Sequence, residues 1–407
     1  MNLFFLLGRN SSKRTVRIIA VAAPLLLILM CFICSVIWLR RRRKGKVELH
    51  HEAAANRPEE DALVWRLEEK RSEFTLYDFS EILHATSNFS QENLLGKGGF
   101  GPVYKGQLLD GMEIAVKRLA SHSGQGFTEF KNEIELIAKL QHNNLVKLMG
   151  CCIQGEEKLL VYEYLPNKSL DFFIFDGNRT TMIDWNKRRV IIEGIAQGLL
   201  YLHKHSRLRI IHRDLKASNI LLDQDMNPKI SDFGLAKIFS SNDTEGSTKR
   251  VVGTYGYMSP EYASKGIYSI KSDVFSFGVL LLEILSGKKN SDFHQYGDFL
   301  NLLGYTWQLW GGGKWLELLE SSISKEIHAD EARRYINIAL MCVQESADDR
   351  PTMSDVVAML NSDSVILPEP NHPAYFNLRV SKEHESTSVD VPCSYNDVTI
   401  TAEPDGR

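Results

Sequence analysis

The chain has 407 residues, a net charge of −3, 43% hydrophobic residues and 24% charged residues. Those proportions match ordinary globular usage and exclude a wholly disordered, collagen-like or disulfide-scaffold protein. The balanced charge gives no ground for nucleic-acid binding, and the length exceeds what one ordinary domain needs.

The N-terminal stretch departs from the average. Residues 1–47 hold ten Lys and Arg and no Asp or Glu. Ile18 to Leu39 is a run of 22 residues without a charge. As a helix rising ~1.5 Å per residue it spans a hydrocarbon core of ~30 Å. A buried globular helix is the plain alternative. The length, the apolar residues on every face and the basic flanks argue against it. A signal peptide has a shorter apolar region of ~7–15 residues ending in small residues. Here Trp38-Leu39 and four arginines follow, a stop-transfer pattern. Six basic residues flank the C-terminal end and four the N-terminal end, which predicts a cytoplasmic C-terminus. The expected organisation is a short extracellular segment (1–17), a transmembrane helix (18–39) and a basic juxtamembrane linker (40–88), in the plasma membrane. Arg40 to Lys46 either attract anionic inner-leaflet lipids or act as a plain topology anchor.

The six cysteines are scattered, and Cys31 and Cys34 sit inside the apolar run, where two helix-borne thiols are expected rather than a redox or zinc pair. Residues 363–407 hold Pro, Ser, Thr and Asp without sustained periodicity and read as a mostly disordered tail. The body between, 89–362, opens with strand-like runs at Asn93–Leu95, Pro102–Lys105, Glu113–Lys117 and Lys158–Tyr162. One helix interrupts them, Phe127 to Leu140, with Ile134, Ile137, Ala138 and Leu140 on its apolar positions. The remainder reads as mainly helical, so the class is α+β.

Gly96, Gly98 and Gly101 fit G-x-G-x-x-G-x-V, ending at Val103. Glycines let backbone N–H groups approach phosphate oxygens, but a tight turn has the same composition. A dinucleotide site would need a helix directly after the glycines; here a strand follows. A lysine, Lys117, ends the next apolar strand. It can reach phosphates if a carboxylate holds its ammonium. Glu133 is the candidate, and position alone does not choose between it and Glu129 or Glu135 on the same helix.

His212-Arg213-Asp214-Leu215-Lys216-Ala217-Ser218-Asn219 reads as a polar loop between apolar runs, and Asp232-Phe233-Gly234 follows 13 residues after Asn219. Asp214 can accept a hydroxyl proton, and Lys216 can balance charge on a transferred phosphoryl group. Asn219 and Asp232 offer hard oxygens to Mg²⁺. Each residue alone could be a loop charge; the spaced set is not accounted for that way.

On these motifs the chain resembles the protein kinase family over about 270 residues. The resemblance implies a two-lobed fold, a small β-rich lobe with one key helix and a larger helical lobe, with ATP and Mg²⁺ (or Mn²⁺) between. It implies that Gly96, Lys97, Gly98, Gly99, Phe100, Gly101 and Val103, with Ala115, Lys117, Tyr162, Glu163, Leu165 and Leu221, line the nucleotide site. It pairs Lys117 with Glu133, makes Asp214 the catalytic base beside Lys216, and assigns Asn219 and Asp232 to metal. It makes Asp273 a cap on the catalytic loop and Arg350 the partner of Glu261. Lys216, and Gly253-Thr254 before Ser259-Pro260-Glu261, look like Ser/Thr rather than tyrosine kinases. Asn88-Phe89-Ser90, Leu145 to Cys152 and Tyr164 to Leu170 look like plant receptor-like kinases akin to IRAK and Pelle, nearest the S-domain (G-type lectin) and cysteine-rich groups. Those receptors carry a large ectodomain, whereas 17 residues precede the apolar run here. The expectation is therefore a receptor-like kinase without the usual ectodomain, acting on protein substrates and drawing its signal from a partner receptor or co-receptor kinase.

Arg213 calls for an anionic partner from the segment 232–261, where phosphorylation adds about −1.5 to −2 charge. Thr248 is the favoured phosphosite among Ser240, Ser241, Thr244, Ser247, Thr248 and Thr254, and Thr254 is expected to contact the catalytic loop. Two other readings stand beside this one. A pseudokinase scaffold would show degeneration at Lys117, Asp214, Asn219 or Asp232, and none is degenerate. A fragment of a longer receptor would share every motif.

Overall fold

The computed structural model describes residues 75–98, 101–119, 124–137, 140–239, 244–291, 299, 301–321, 323, 327–362 and 366–376. The expected extracellular segment, the apolar run 18–39 and linker residues 40–74 lie outside them. Among the described residues no helix is long and apolar enough to cross a membrane.

The smaller lobe is a six-stranded sheet in the order β1-β5-β6-β4-β3-β2. In chain order its elements are β1 (Thr75–Leu76), α1 (Phe79–Ala85), β2 (Leu94–Gly98), β3 (Gly101–Gln107), β4 (Glu113–Arg118), α2 (Gly124–Ile137), β5 (Leu148–Gln154) and β6 (Glu157–Glu163). Strand alternation builds two faces. Ile114 and Val116 of β4, Leu159 and Val161 of β6, and Cys152 of β5 point into a small core with Ile82, Ala85 and Leu108. Lys117 and Tyr162 sit out of phase with those residues, toward α2 and the cleft. Ala115 pairs with Tyr162 and Lys117 with Leu160, so the register brings three expected nucleotide-site residues together.

The larger lobe continues with α3 (Asp171–Ile174), α4 (Trp185–Leu200), β7 (Arg209–Ile211), β8 (Ile220–Leu222), β9 (Pro228–Ile230), β10 (Lys237–Phe239), β11 (Glu245–Ser247), α5 (Pro260–Lys265), β12 (Ile267–Ser269), α6 (Ile270–Ser286), α7 (Leu302–Gly311), α8 (Ala329–Cys342) and α9 (Met353–Asn361). Every residue of α6 from Ser272 to Ser286 is buried, which makes it the axis of the lobe. A Ser269–Ser272 capping box starts it, and left-handed Gly287 ends it. The antiparallel β7–β10 pair and the β8–β9 hairpin rest on this core and present the polar loops between them to the cleft.

Two expectations change, and one strand was not among those expected. Residues 75–88 are not linker. β1 adds in parallel to the edge of β5, and α1 buries Ile82 completely in the small core. The spacing of Phe79, Ile82 and Leu83 carries that amphipathic turn. Gly150 makes the docking possible, since a Cβ there would lie 2.1 Å from the Thr75 carbonyl oxygen. Secondly, residues 366–376 pack on the larger lobe, with Ala374 N donating to Val343 O at 2.9 Å. Residues 366–376 of the expected disordered tail thus belong to the folded body, while 363–365 and 377–407 lie outside the described residues. Lastly, β5 is a strand that alternation does not announce. Leu148, Gly150, Cys151 and Cys152 are all buried, so both faces are covered.

Candidate active site

The glycine run forms the turn of the β2–β3 hairpin. Gly96 pairs with Val103, Lys97 with Pro102 and Gly98 with Gly101. Gly101 has φ 124°, and a Cβ on it would stand 2.1 Å from the Arg118 carbonyl oxygen. Only glycine lets β3 turn this close to β4. Gly99 and Phe100 lie outside the described residues.

Beneath the hairpin three ionised groups converge. Lys117 Nζ donates to Glu133 Oε1 at 2.7 Å and to Asp232 Oδ1 at 2.9 Å. The Tyr162 hydroxyl donates to the other Glu133 oxygen. The three polar partners come from β4, α2 and the loop after β9, so the pairing joins both lobes. Burial alone would depress the Lys117 ammonium. Glu133 and Asp232 outweigh it and hold the lysine charged, well above its ordinary range. Burial likewise opposes ionisation of Asp232, but Lys117, then His212 and Lys216, keep its carboxyl below the usual range. Asp232 has a left-handed backbone (φ 63°), which turns its side chain toward Lys117 while Phe233 is fully buried beside the His212 ring.

The second cluster lies on the loop after β7. Thr254 Oγ1 donates to Asp214 Oδ1 at 2.8 Å, and Lys216 Nζ donates to Thr254 Oγ1 at 2.8 Å. Lys216 Nζ also lies 3.1 Å from Asp214 Oδ2. Asn219 Nδ2 donates to Asp214 O at 2.8 Å and Oδ2 at 3.1 Å, leaving its amide oxygen to face other partners. Ser231 N donates to Asn219 O at 2.9 Å, which holds the Asn219 and Asp232 loops side by side. One amide oxygen and one carboxylate suit a hard divalent cation that takes further oxygens from phosphates. Among the described residues no cluster of three or more His, Cys, Asp or Glu gathers around a metal position.

Asp273 underlies this loop. It accepts from His212 N at 2.8 Å, Arg213 N at 2.9 Å and His203 Nε2 at 2.8 Å. Burial opposes its charge, but the His203 bond, the histidine charges and the Arg213 N–H keep it ionised below the ordinary range. Nothing in the sequence pointed to His203, which arrives from the end of α4. Glu261 and Arg350 form a two-bond fork at 2.8 and 2.9 Å.

The expected regulatory residues are placed differently. Arg213 donates to Leu235 O at 3.0 Å and Tyr262 OH at 2.6 Å, while its buried Nε has no acceptor. Its guanidinium lies 4.6 Å from the centre of the Tyr268 ring. Burial and the Arg213 charge depress the Lys237 ammonium nearby. Thr248 sits apart at the end of β11, its N–H donating to Gly266 O at 3.0 Å. Glu163 Oε1 accepts from Lys147 N at 2.8 Å and pairs with Lys229, while Leu165 follows it in the crossover between lobes. Leu221 lies on β8, half-buried below them.

A sheet lobe with one cross-linked helix, a helical lobe, and a lysine–glutamate–aspartate triad facing an aspartate loop define a two-lobed protein kinase. The chain belongs to the protein tyrosine and serine/threonine kinase family, whose model matches residues 89–360. It is 58% identical over 337 residues to the Arabidopsis thaliana G-type lectin S-receptor-like serine/threonine-protein kinase SD1-1, covering 82% of this chain and 41% of that protein. It is 50% identical over 399 residues to Cysteine-rich receptor-like protein kinase 10 of the same plant, covering 97% of this chain and 58% of that one. G-type lectin S-receptor-like serine/threonine-protein kinase RKS1, also from Arabidopsis thaliana, is 53% identical over 369 residues, with 88% and 44% covered. The chain thus spans roughly two- to three-fifths of the length of these relatives.

Proposed function

We propose that this chain is a membrane-anchored Ser/Thr protein kinase of receptor-like type, transferring the γ-phosphoryl group of ATP to protein hydroxyls. The observation that carries the reading is the Asp214–Thr254–Lys216–Asn219 cluster facing the Lys117–Glu133–Asp232 triad. In this reading Gly96, Lys97, Gly98, Gly101 and Val103 cover the nucleotide. Ala115, Tyr162, Glu163, Leu165 and Leu221 frame its base. Lys117, held by Glu133, steadies the phosphates. Asp214 accepts the proton of the acceptor hydroxyl, and Lys216 offsets charge on the transferred group. Asn219 and Asp232 hold Mg²⁺, or Mn²⁺ in its place; when bound, the cation neutralises phosphate charge. The rest of the chain's contribution is positioning in a dry, preorganised site. Lys216 bonded to Thr254 favours Ser/Thr acceptors, and so do the names of the related serine/threonine-protein kinases.

The apolar run 18–39 with its basic flank supports a single span of the plasma membrane with the kinase in the cytoplasm. A partner receptor or co-receptor kinase then supplies the signal. The orphaned Arg213 Nε with Lys237 nearby supports control by a phosphate on the segment 232–261, with Thr248 the favoured carrier.

The test is autophosphorylation of the full chain in detergent micelles with Mg²⁺ and radiolabelled ATP, beside Asp232→Asn, with phosphosites mapped. Label on Ser and Thr that falls ~100-fold or more in the variant is expected. Chelation with EDTA removes it, and Mg²⁺ or Mn²⁺ restores it. Equal label in wild type and variant, or label on Tyr alone, overturns the reading.

A further inference from the structure

Three consecutive carbonyls of the loop after Thr254 are held by side chains from three separate parts of the chain. Asn290 Nδ2 donates to Gly256 O at 2.7 Å, and Ser276 Oγ of α6 donates to Tyr257 O at 2.7 Å. The Tyr375 hydroxyl donates to Met258 O at 3.5 Å. This loop starts at the hydroxyl that donates to Asp214, and Met258 lines a small pocket with Arg213, Asp214 and Tyr257. A protein acceptor must lie against it to bring a hydroxyl to Asp214.

The first two tethers come from inside the matched family region. Tyr375 comes from residues 366–376, past its end at 360. That segment is fastened along its length. Asn337 Nδ2 donates to Pro368 O at 3.2 Å, Asn371 N donates to Gln344 Oε1 at 3.3 Å, and Ala374 N donates to Val343 O at 2.9 Å. At the far end Asn301, which also caps α7, donates to Tyr375 O at 3.0 Å. Tyr375 itself has a left-handed backbone, φ 57°, a conformation a non-glycine residue adopts only where its surroundings impose it. The imposed turn sets its ring edge-to-face on Phe275 of α6, centroids 6.3 Å apart, with the hydroxyl under Met258.

We propose that residues 366–376 are a strap that sets the position of the acceptor-binding loop 254–259, with Tyr375 as a positioning residue for the protein acceptor. The proposal deepens the kinase reading and rests on it. The hydroxyl bond is at the outer limit of length, so the packing of the ring on Phe275 carries most of the effect. Among the described residues no hydrogen bond or ring contact joins the strap to the Lys117 triad or the glycine hairpin, so the strap acts apart from the nucleotide site.

The experiment is steady-state phosphorylation of casein by the full chain in detergent, with casein and ATP varied separately. Tyr375→Ala is expected to raise the casein KM about 3- to 10-fold and leave the ATP KM within about twofold. Tyr375→Phe, which keeps the ring, is expected to stay near wild type. A casein KM unchanged in Tyr375→Ala, or an ATP KM raised by the same factor, overturns the proposal. If Tyr375→Ala does not fold, Asn337→Ala releases the other end of the strap and is expected to show the same split, smaller in size; its absence is equally decisive. A wild type that transfers no phosphate refutes the kinase reading instead. Amide exchange over 254–262 then decides the strap: faster exchange in Tyr375→Ala supports it, and equal exchange overturns it.

Discussion

Glu283 is a carboxyl group in the last turn of α6 and is 1% exposed. It accepts from the Tyr257 hydroxyl at 2.6 Å and from Asn290 N at 2.9 Å. Burial pushes its pKa from 4.5 up to about 7, and those two bonds with the Lys289 charge only partly oppose it. The folded protein therefore keeps a proton there that the unfolded chain has lost. Stability contributed by that proton is full below about 4.5 and drains away as pH rises to about 7. The upper bound is about 3–4 kcal/mol, from ~1.4 kcal/mol per pKa unit. Glu283→Gln keeps an acceptor for Tyr257 without the titration. Urea denaturation at pH 5 and pH 8 is expected to show the variant gaining on wild type at the higher pH; parallel losses in both would refute it. Residues such as Asp214, Asn219 and Asp232 are readable because they lie in short, ordered motifs. Glu283, Tyr257 and Asn290 are not, because three unrelated segments must fold before their side chains meet.

Among elements, the β1–α1 segment is the clearest case of structure correcting sequence. Its strand has two residues, too few for any alternation to show, and its helix has seven. Neither is stable alone. Both exist because β5 offers an edge and the sheet offers an apolar face. Gly150→Ala tests this directly. The added Cβ falls 2.1 Å from the Thr75 carbonyl oxygen and 2.6 Å from the Tyr77 ring. One of those contacts is backbone and cannot move aside. Loss of about 1–3 kcal/mol is expected, with faster amide exchange over 75–86. Unchanged stability and exchange would show that the segment does not hold the sheet edge. Helix α2 was legible from its apolar spacing, although it runs Gly124–Ile137 rather than Phe127 to Leu140.

For the molecule as a whole, Arg350 joins parts of the larger lobe that are far apart in sequence. It is 1% exposed and satisfies its donors completely. Besides the two Glu261 oxygens, it donates to Gln344 O at 2.8 Å, Lys271 O at 3.1 Å and Glu345 O at 3.0 Å. Burial would raise the Glu261 carboxyl, but the Arg350 bonds hold it below the usual range, so this contribution weakens as pH falls through that carboxyl's titration. Arg350→Ala leaves Glu261 without its cation and takes one donor from each of three carbonyls. Its expected cost is about 3–5 kcal/mol by denaturant unfolding. Arg350→Lys recovers little, because a single ammonium cannot span the fork. A loss under about 1 kcal/mol would show the pair to be peripheral.

The sequence by itself determined the family, the order of the lobes and the chemistry-bearing loops, because kinase-type motifs are local and carry their spacing with them. It also marked Glu261 and Arg350 through the same resemblance. The tertiary structure decided which groups meet across distance: Glu133 on Lys117, His203 under Asp273, Tyr257 on Glu283, and Tyr375 beneath Met258. It alone placed 75–88 and 366–376 on the folded body. Short segments with weak patterns of their own acquire structure only from a surface that the rest of the chain must first build.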